Sequence, residues 1–324
     1  HLVWDPSGNP ENLATDSNAD LLLRARKHAT AALHSGITTV RDLGDRDFAT
    51  LQLRNEYQAG QGIGPELLVA GPPITRTGGH CWYLGCKVDT IDALIAAVQE
   101  RADRGVDWVK VMATGGFRTQ GSDPFVPQYT VEQLTTLVHA AHEHGMPIAA
   151  HAHATSGIAA AVAAGVDGIE HCTFVSEQGA VLDQATVEAM AARGIWAGIT
   201  IAQPRDDLSS TTLAILEKKW GNVRTLMHSG VHVVFSTDAG IYSTKPHDVL
   251  AKELIYVASQ GFTNLEVLTA ATSIAADSCH VGHRKGRIAP HYDADVIAIP
   301  GNPLRNINEL LNIQAVFRAG HRVR

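Results

Sequence analysis

Four ionisable side chains in this sequence sit in or close short apolar runs, and that repetition constrains the fold more than any other feature. Lys110 lies in Trp108-Val109-Lys110-Val111-Met112, and His151 ends Ile148-Ala149-Ala150-His151. His171 ends Gly168-Ile169-Glu170-His171, and Asp238 ends Val233-Val234-Phe235-Ser236-Thr237-Asp238. Each run is strand-like and follows a helix-like stretch. Ionisable groups at the ends of buried strands are costly unless something pairs them. In a (β/α)8 barrel such ends converge on one face, where active sites lie. Two His, an Asp and a Lys on one face point to a divalent-metal centre.

The chain has room for that architecture. Its 324 residues are 45% hydrophobic and 18% charged, which predicts a sizeable core with space for a barrel and a small appendage. The net charge of −7 argues against nucleic acid or an anionic membrane as partner, and no apolar run reaches the roughly 18–20 residues of a membrane span. Cys81, Cys86, Cys172 and Cys279 form neither a C-x-x-C pair nor a disulfide-dense pattern, which fits a reducing compartment or indifference to redox. No targeting segment is visible. A cytoplasmic, homo-oligomeric protein acting on a small molecule is the expectation.

Strand and helix signals alternate almost throughout, the mark of an α/β protein. Helices are predicted over Leu21–His34, Ala49–Ala59, Ile91–Arg104, Ser156–Ala164, Gln184–Arg193 and Leu213–Ser229. Thr130-x-x-Gln133 and Thr263-x-x-Glu266 are capping-box patterns opening helices to His144 and to about Ala276. Between them run seven strand-like segments, and His1-Leu2-Val3-Trp4 reads as an eighth strand already under way. The Gly- and Thr-rich loop Ile74–Val88, with Gly78-Gly79-His80, is long for a connection, and such loops are often functional. The expected fold is a (β/α)8 TIM barrel over residues 1–281, with 282–324 as part of a small β-sandwich module. Partner strands of that module, and the start of the first barrel strand, are expected upstream of His1.

The donors themselves suit a metal. His151 and His171 supply imidazole nitrogen and Asp238 a hard oxygen, a mix for Zn2+ foremost and also Mn2+, Fe2+ or Co2+. Lys110 either pairs with a carboxylate or reacts with CO2 to give an anionic carbamate able to bridge two metals. His153 shares a strand face with His151 and could ligate or touch substrate.

These segments resemble one family. Trp108 to Gly116, Ala150-His151-Ala152-His153, Gly168 to His171 and Ser236-Thr237-Asp238-Ala239-Gly240 resemble the motifs of the amidohydrolase superfamily. Leu268 to Thr272, Gly286 to Ala289 and Asp293-Ala294-Asp295 resemble its C-terminal signature. The nearest subgroup is the imidazolonepropionase-like hydrolases, with prolidase-type dipeptidases, carboxypeptidases and ochratoxin-type amidases. The resemblance implies two divalent metals bridged by carboxylated Lys110, with His151 and His171 on one. Asp238 would hold the other and carry the proton. His1 would match the second His of the family's first-strand His-x-His pair, whose first His is not in this sequence. His291 stands where the family has Gly.

The implied reaction is hydrolysis of an amide in a dipeptide or N-acyl amino acid by metal-activated water. His80 is the candidate for stabilising the oxyanion, and His153, Tyr242 and His247 are candidates for substrate contact. Arg118, Arg205 and Lys245 could meet a substrate carboxylate. Two rival readings are a cyclic-amide hydrolase, disfavoured by Lys110, and an impaired barrel that binds one metal or only a ligand.

Overall fold

A computed structural model describes residues 1–204 and 208–324. Seven parallel strands follow one another in chain order: β1 (Thr39–Asp42), β2 (Glu66–Val69), β3 (Val109–Met112), β4 (Ile148–Ala154), β5 (Gly168–Ser176), β7 (Trp196–Thr200) and β8 (Val233–Ser236). The short β6 (Gly179–Ala180) folds back antiparallel on β5. β1 pairs with β2, and β3-β4-β5-β7-β8 form a continuous parallel run. Asp107 and Trp108 amides donate to Val69 O at 2.9 and 3.2 Å and join the two sets. β3 and β4 are buried along their whole length, as expected of parallel strands covered on both faces.

The covering helices are α1 (Asn18–His34), α2 (Ala49–Gln58), α3 (Ile91–Arg104), α4 (Val131–Glu143), α5 (Thr155–Ala164), α6 (Gln184–Arg193), α7 (Ser210–His228), α8 (Leu250–Ser259), α9 (Asn264–Ala271) and α10 (Ser273–Ser278). α4 shows how local sequence sets such an element. Thr130 and Gln133 form the reciprocal capping box, and Leu134, Leu137, Val138 and Ala141 put one apolar face against the sheet. The result is a barrel of the (β/α)8 type with the strand C-terminal ends on one face.

Three expectations need correction. His1-Leu2-Val3-Trp4 is a turn, closed by Trp4 N to His1 O at 3.3 Å, and not a strand. Its backbone bonds go elsewhere: the Leu2 amide donates to Asp42 Oδ2 at 2.7 Å and the His1 nitrogen to Ala239 O at 3.1 Å. The turn therefore lies across the top of the seam between β8 and β1, which no ladder joins among the described residues. The helix read from Thr263 to about Ala276 is two helices, broken where Thr272 takes φ −125° and ψ −92°. α8 was not anticipated. It buries Glu253, Leu254 and Val257.

β9 (Val296–Ala298), β10 (Ala315–Arg318) and β11 (His321–Arg322) make a three-stranded antiparallel sheet. Ile313 and Val316 pack it on Leu33 of α1. Arg284, Lys285 and Arg318 pair with Glu66 of β2 and with Asp293 and Asp295, tying the sheet to the barrel floor. His291 in this region has φ +69°, a left-handed conformation that favours glycine. No helix among the described residues is long and apolar enough to cross a membrane.

Candidate metal centre

The sheet register levels the candidate residues. Met112 lies beside His151, His151 beside Glu170, and Ala152 beside His171. Past this row the backbone departs from ideal strand. The β4–β5 register shifts between Ala152 and Ala154, and His171, Cys172 and Phe174 all have positive φ, as does Asp238. Residues other than glycine pay for that conformation, and such strain gathers at functional sites.

Four histidine rings meet there. His151 lies 4.5 Å from His80, 4.7 Å from His153 and 4.5 Å from His171, centroid to centroid, and His153 stacks on His171 at 4.6 Å. Nitrogens of His151, His153 and His171 all fall within 4.8 Å of one another. Each ring is oriented from behind. His151 Nε2 faces Gly115 O at 3.0 Å, His153 Nδ1 the Thr173 hydroxyl at 2.9 Å, and His171 Nδ1 the Thr200 hydroxyl at 2.7 Å. One nitrogen of each imidazole is thereby left for a ligand.

Burial and mutual proximity keep these rings neutral. Burial pushes His171 down to about 4, and burial with the neighbouring His171 pushes His80 down to about 3. His151 and His153 fall well below the ordinary histidine value for the same reasons, burial first. Neutral imidazoles packed together beside an ionised carboxylate are a donor set that a divalent cation takes. The residues present therefore fit a metal.

On the neighbouring strand end, His1 Nε2 lies 3.2 Å from Asp238 Oδ1, and His1 Nδ1 faces Gly44 O at 3.0 Å. Burial alone would raise the Asp238 carboxyl. The His1 hydrogen bond, with the charges of His1 and Lys245, outweighs it and holds the carboxylate well below its usual range. Lys110 is buried on β3, and burial brings its ammonium down to about 8. The pairing of Lys110 with a carboxylate is not found: among the described residues it has no ion pair, and Glu170 is taken by Arg41 at 2.8 Å.

His80 reaches the cluster because its loop is fastened to β3. Its amide donates to Gln128 Oε1 at 2.6 Å, and Gln128 Nε2 donates in turn to Met112 O at 2.7 Å. Gly116 makes room, since a Cβ there would sit 2.5 Å from the His80 ring. His80 Nδ1 is buried with no partner among the described residues. His153 joins the histidine cluster itself. Tyr242 lines the cavity mouth under the Arg118 guanidinium at 4.4 Å. His247 stacks on His28 at 4.1 Å with its Nε2 3.2 Å from His1 O, so it braces the His1 backbone. Lys245 is paired with Glu253 at 2.8 Å, and Arg205 lies outside the described residues.

Sequence reasoning missed the supports: Arg41–Glu170, Thr173, Thr200 and Gln128. Their one signal was position, since Glu170, Thr173 and Thr200 all flank the strand end that carries His171. Arg41, Glu170, Thr173 and Thr200, with His1, His80, Lys110 and the histidine cluster, line one cavity of about 1460 Å³, which continues down the seam between β1 and β8.

The model of the Amidohydrolase family matches residues 6–323. The chain belongs to the amidohydrolase family. Ochratoxinase of Aspergillus niger is 28% identical over 325 residues, covering 88% of this chain and 64% of its own length, so the chain spans under two thirds of that relative. A crystal structure described as a Xaa-Pro dipeptidase with bound methionine in the active site superposes with a TM-score of 0.87 at 27% identity, over 100% of this chain and 84% of that one. The crystal structure of A. niger ochratoxinase has a TM-score of 0.86 at 24% identity, over 100% of this chain and 81% of that one, a likeness of fold.

Proposed function

We propose that this amidohydrolase is a divalent-metal hydrolase that cleaves the amide bond of a small substrate, a dipeptide or an N-acyl amino acid. One observation carries the reading: neutral, pre-oriented histidines beside a buried lysine that makes no direct ion pair among the described residues and a carboxylate held ionised. Ochratoxinase and the Xaa-Pro dipeptidase among its relatives support it.

His151 and His171 would hold one metal and Asp238 with His1 the other, with His153 an alternative ligand. Lys110 would bridge them as its carbamate. Its unpaired amine supports that role, because carbamylation needs a neutral nitrogen and burial brings Lys110 close to one at neutral pH. Bound ions would supply Lewis acidity at the carbonyl and a nucleophilic water near neutral pH. Asp238, a carboxylate held ionised beside His1, takes the proton of the attacking water and returns it to the leaving nitrogen. His80, neutral and held by Gln128, donates a hydrogen bond to the carbonyl oxygen as it becomes tetrahedral. Products are a carboxylic acid and an amine.

The test is a mass-spectrometric screen of dipeptides and N-acyl amino acids with Zn2+, Mn2+ or Co2+ added, alongside D238N. Cleavage that falls at least about a hundredfold in D238N supports the assignment. Cleavage unchanged by D238N, or no cleavage with metal bound, contradicts it.

A further inference from the structure

Three cations were candidates for meeting an anionic substrate group, and the structure separates them. Lys245 is spent on Glu253 and on Ile201 O. Arg205 lies outside the described residues. Arg118 is different: it lines the cavity, and among the described residues it has neither a carboxylate partner nor a hydrogen-bond acceptor. Its Nε is shielded from solvent with nothing to donate to. An N–H in that state costs free energy until an acceptor arrives. Lys219, also on the wall, donates to Thr200 O and is pushed down to about 7 by burial, so it holds its charge weakly near neutrality. A guanidinium stays charged throughout.

Position agrees with charge. Arg118 follows Phe117, whose ring meets His153 edge-on at 4.9 Å, so it stands one residue out from the histidine cluster. Its guanidinium lies 4.4 Å over the Tyr242 ring, which bridges the loop after β3 to the loop after β8 across the mouth. Stacking fixes the plane of the fork, and a fixed fork suits a two-oxygen anion better than a point charge does. In an amino acid joined through its nitrogen, the carboxylate is two bonds beyond the scissile nitrogen, also one residue out from the reacting carbonyl.

We infer that Arg118 is the specificity residue that reads a free α-carboxylate on the leaving-amine side, so the enzyme acts on substrates with a C-terminal acid and discriminates against their carboxamides. This rests on the amide-hydrolase reading above. Tyr242 acts through Arg118 as its positioning residue.

The experiment compares dipeptides having a free C-terminal acid with the same dipeptides as C-terminal amides, scoring only the internal bond, in wild type, R118Q and R118K. Wild type is expected to prefer the acid at least tenfold in kcat/KM. R118Q should bring that ratio towards one, mainly through KM for the acid, and R118K should keep part of it. Equal cleavage of acid and amide by wild type overturns the inference, as does an equal loss on both substrates in R118Q. If no dipeptide is cleaved, the hydrolase reading fails and Arg118 is judged separately by calorimetry with N-acetyl-L-methionine and N-acetyl-L-methioninamide. Selective binding of the acid that R118Q abolishes upholds the carboxylate site, and equal binding of the two overturns it.

Discussion

Asp238 combines three unusual conditions in one residue: a left-handed backbone at φ +53°, a half-buried position, and a carboxylate kept ionised by His1. Backbone strain at such a position costs on the order of 1–3 kcal/mol, which surrounding contacts must offset. Gly240 follows with φ +99° and lets the His1 carbonyl approach within 2.6 Å of where a Cβ would stand, so the Asp238–His1 contact depends on a glycine two residues on. His80 depends on Gly116 in the same way. G116A should displace the His80 ring while leaving β3 in place. The expected outcome is a fall in kcat of about 100–1000-fold, the range for losing an oxyanion donor, with melting little changed. Steady-state kinetics and thermal denaturation check it together, and unaltered kcat would remove His80 from the chemistry. Gly198 guards the Arg41–Glu170 pair, since a Cβ there would overlap the Glu170 carboxylate. None of these glycine roles could be read from sequence, because each depends on what a distant segment places opposite.

At the scale of elements, strands and most helices were legible because burial period and capping chemistry are local. The capping box of α4 and the glycines that end α3, α5 and α6 in left-handed turns needed no tertiary knowledge. T130A should cost about 1 kcal/mol in urea denaturation, as losing a cap oxygen does; no measurable cost would mean that α4 is held by packing alone. The misreadings have a shared physical cause. His1 to Trp4 is apolar enough for a strand, but its amides find the Asp42 carboxylate and the Ala239 carbonyl. α8 carries the buried Glu253, which pairs with Lys245 from another segment. His291 is an exposed residue in a glycine conformation. H291G should therefore stabilise the protein by about 0.5–1 kcal/mol in the same assay, and a destabilised variant would show that the His291 side chain makes a contact that outweighs its backbone cost.

For the whole molecule, the histidine cluster links metal, pH and stability. Neutral, buried His80 and His171 have folded values near 3 and 4, below the ordinary 6.5. Below pH 6.5 the unfolded chain takes up protons that the folded one refuses, so stability falls with pH from about 6.5 towards 4. Urea unfolding of metal-free protein should lose more than about 2 kcal/mol between pH 7 and pH 4.5, and a flat profile would contradict neutral imidazoles. The candidate donors His151, His171, Asp238 and Lys110 were visible in the sequence because each interrupts or follows a short apolar run. Their supports and the entry of His153 into the cluster were not, because sheet register decides them. The most direct measurement is elemental analysis of the protein grown with bicarbonate, set beside H151A/H171A and K110A. About two transition-metal ions per chain, reduced in both variants, is the predicted result. Metal content at background, or the same in all three proteins, would contradict a metal centre at these strand ends.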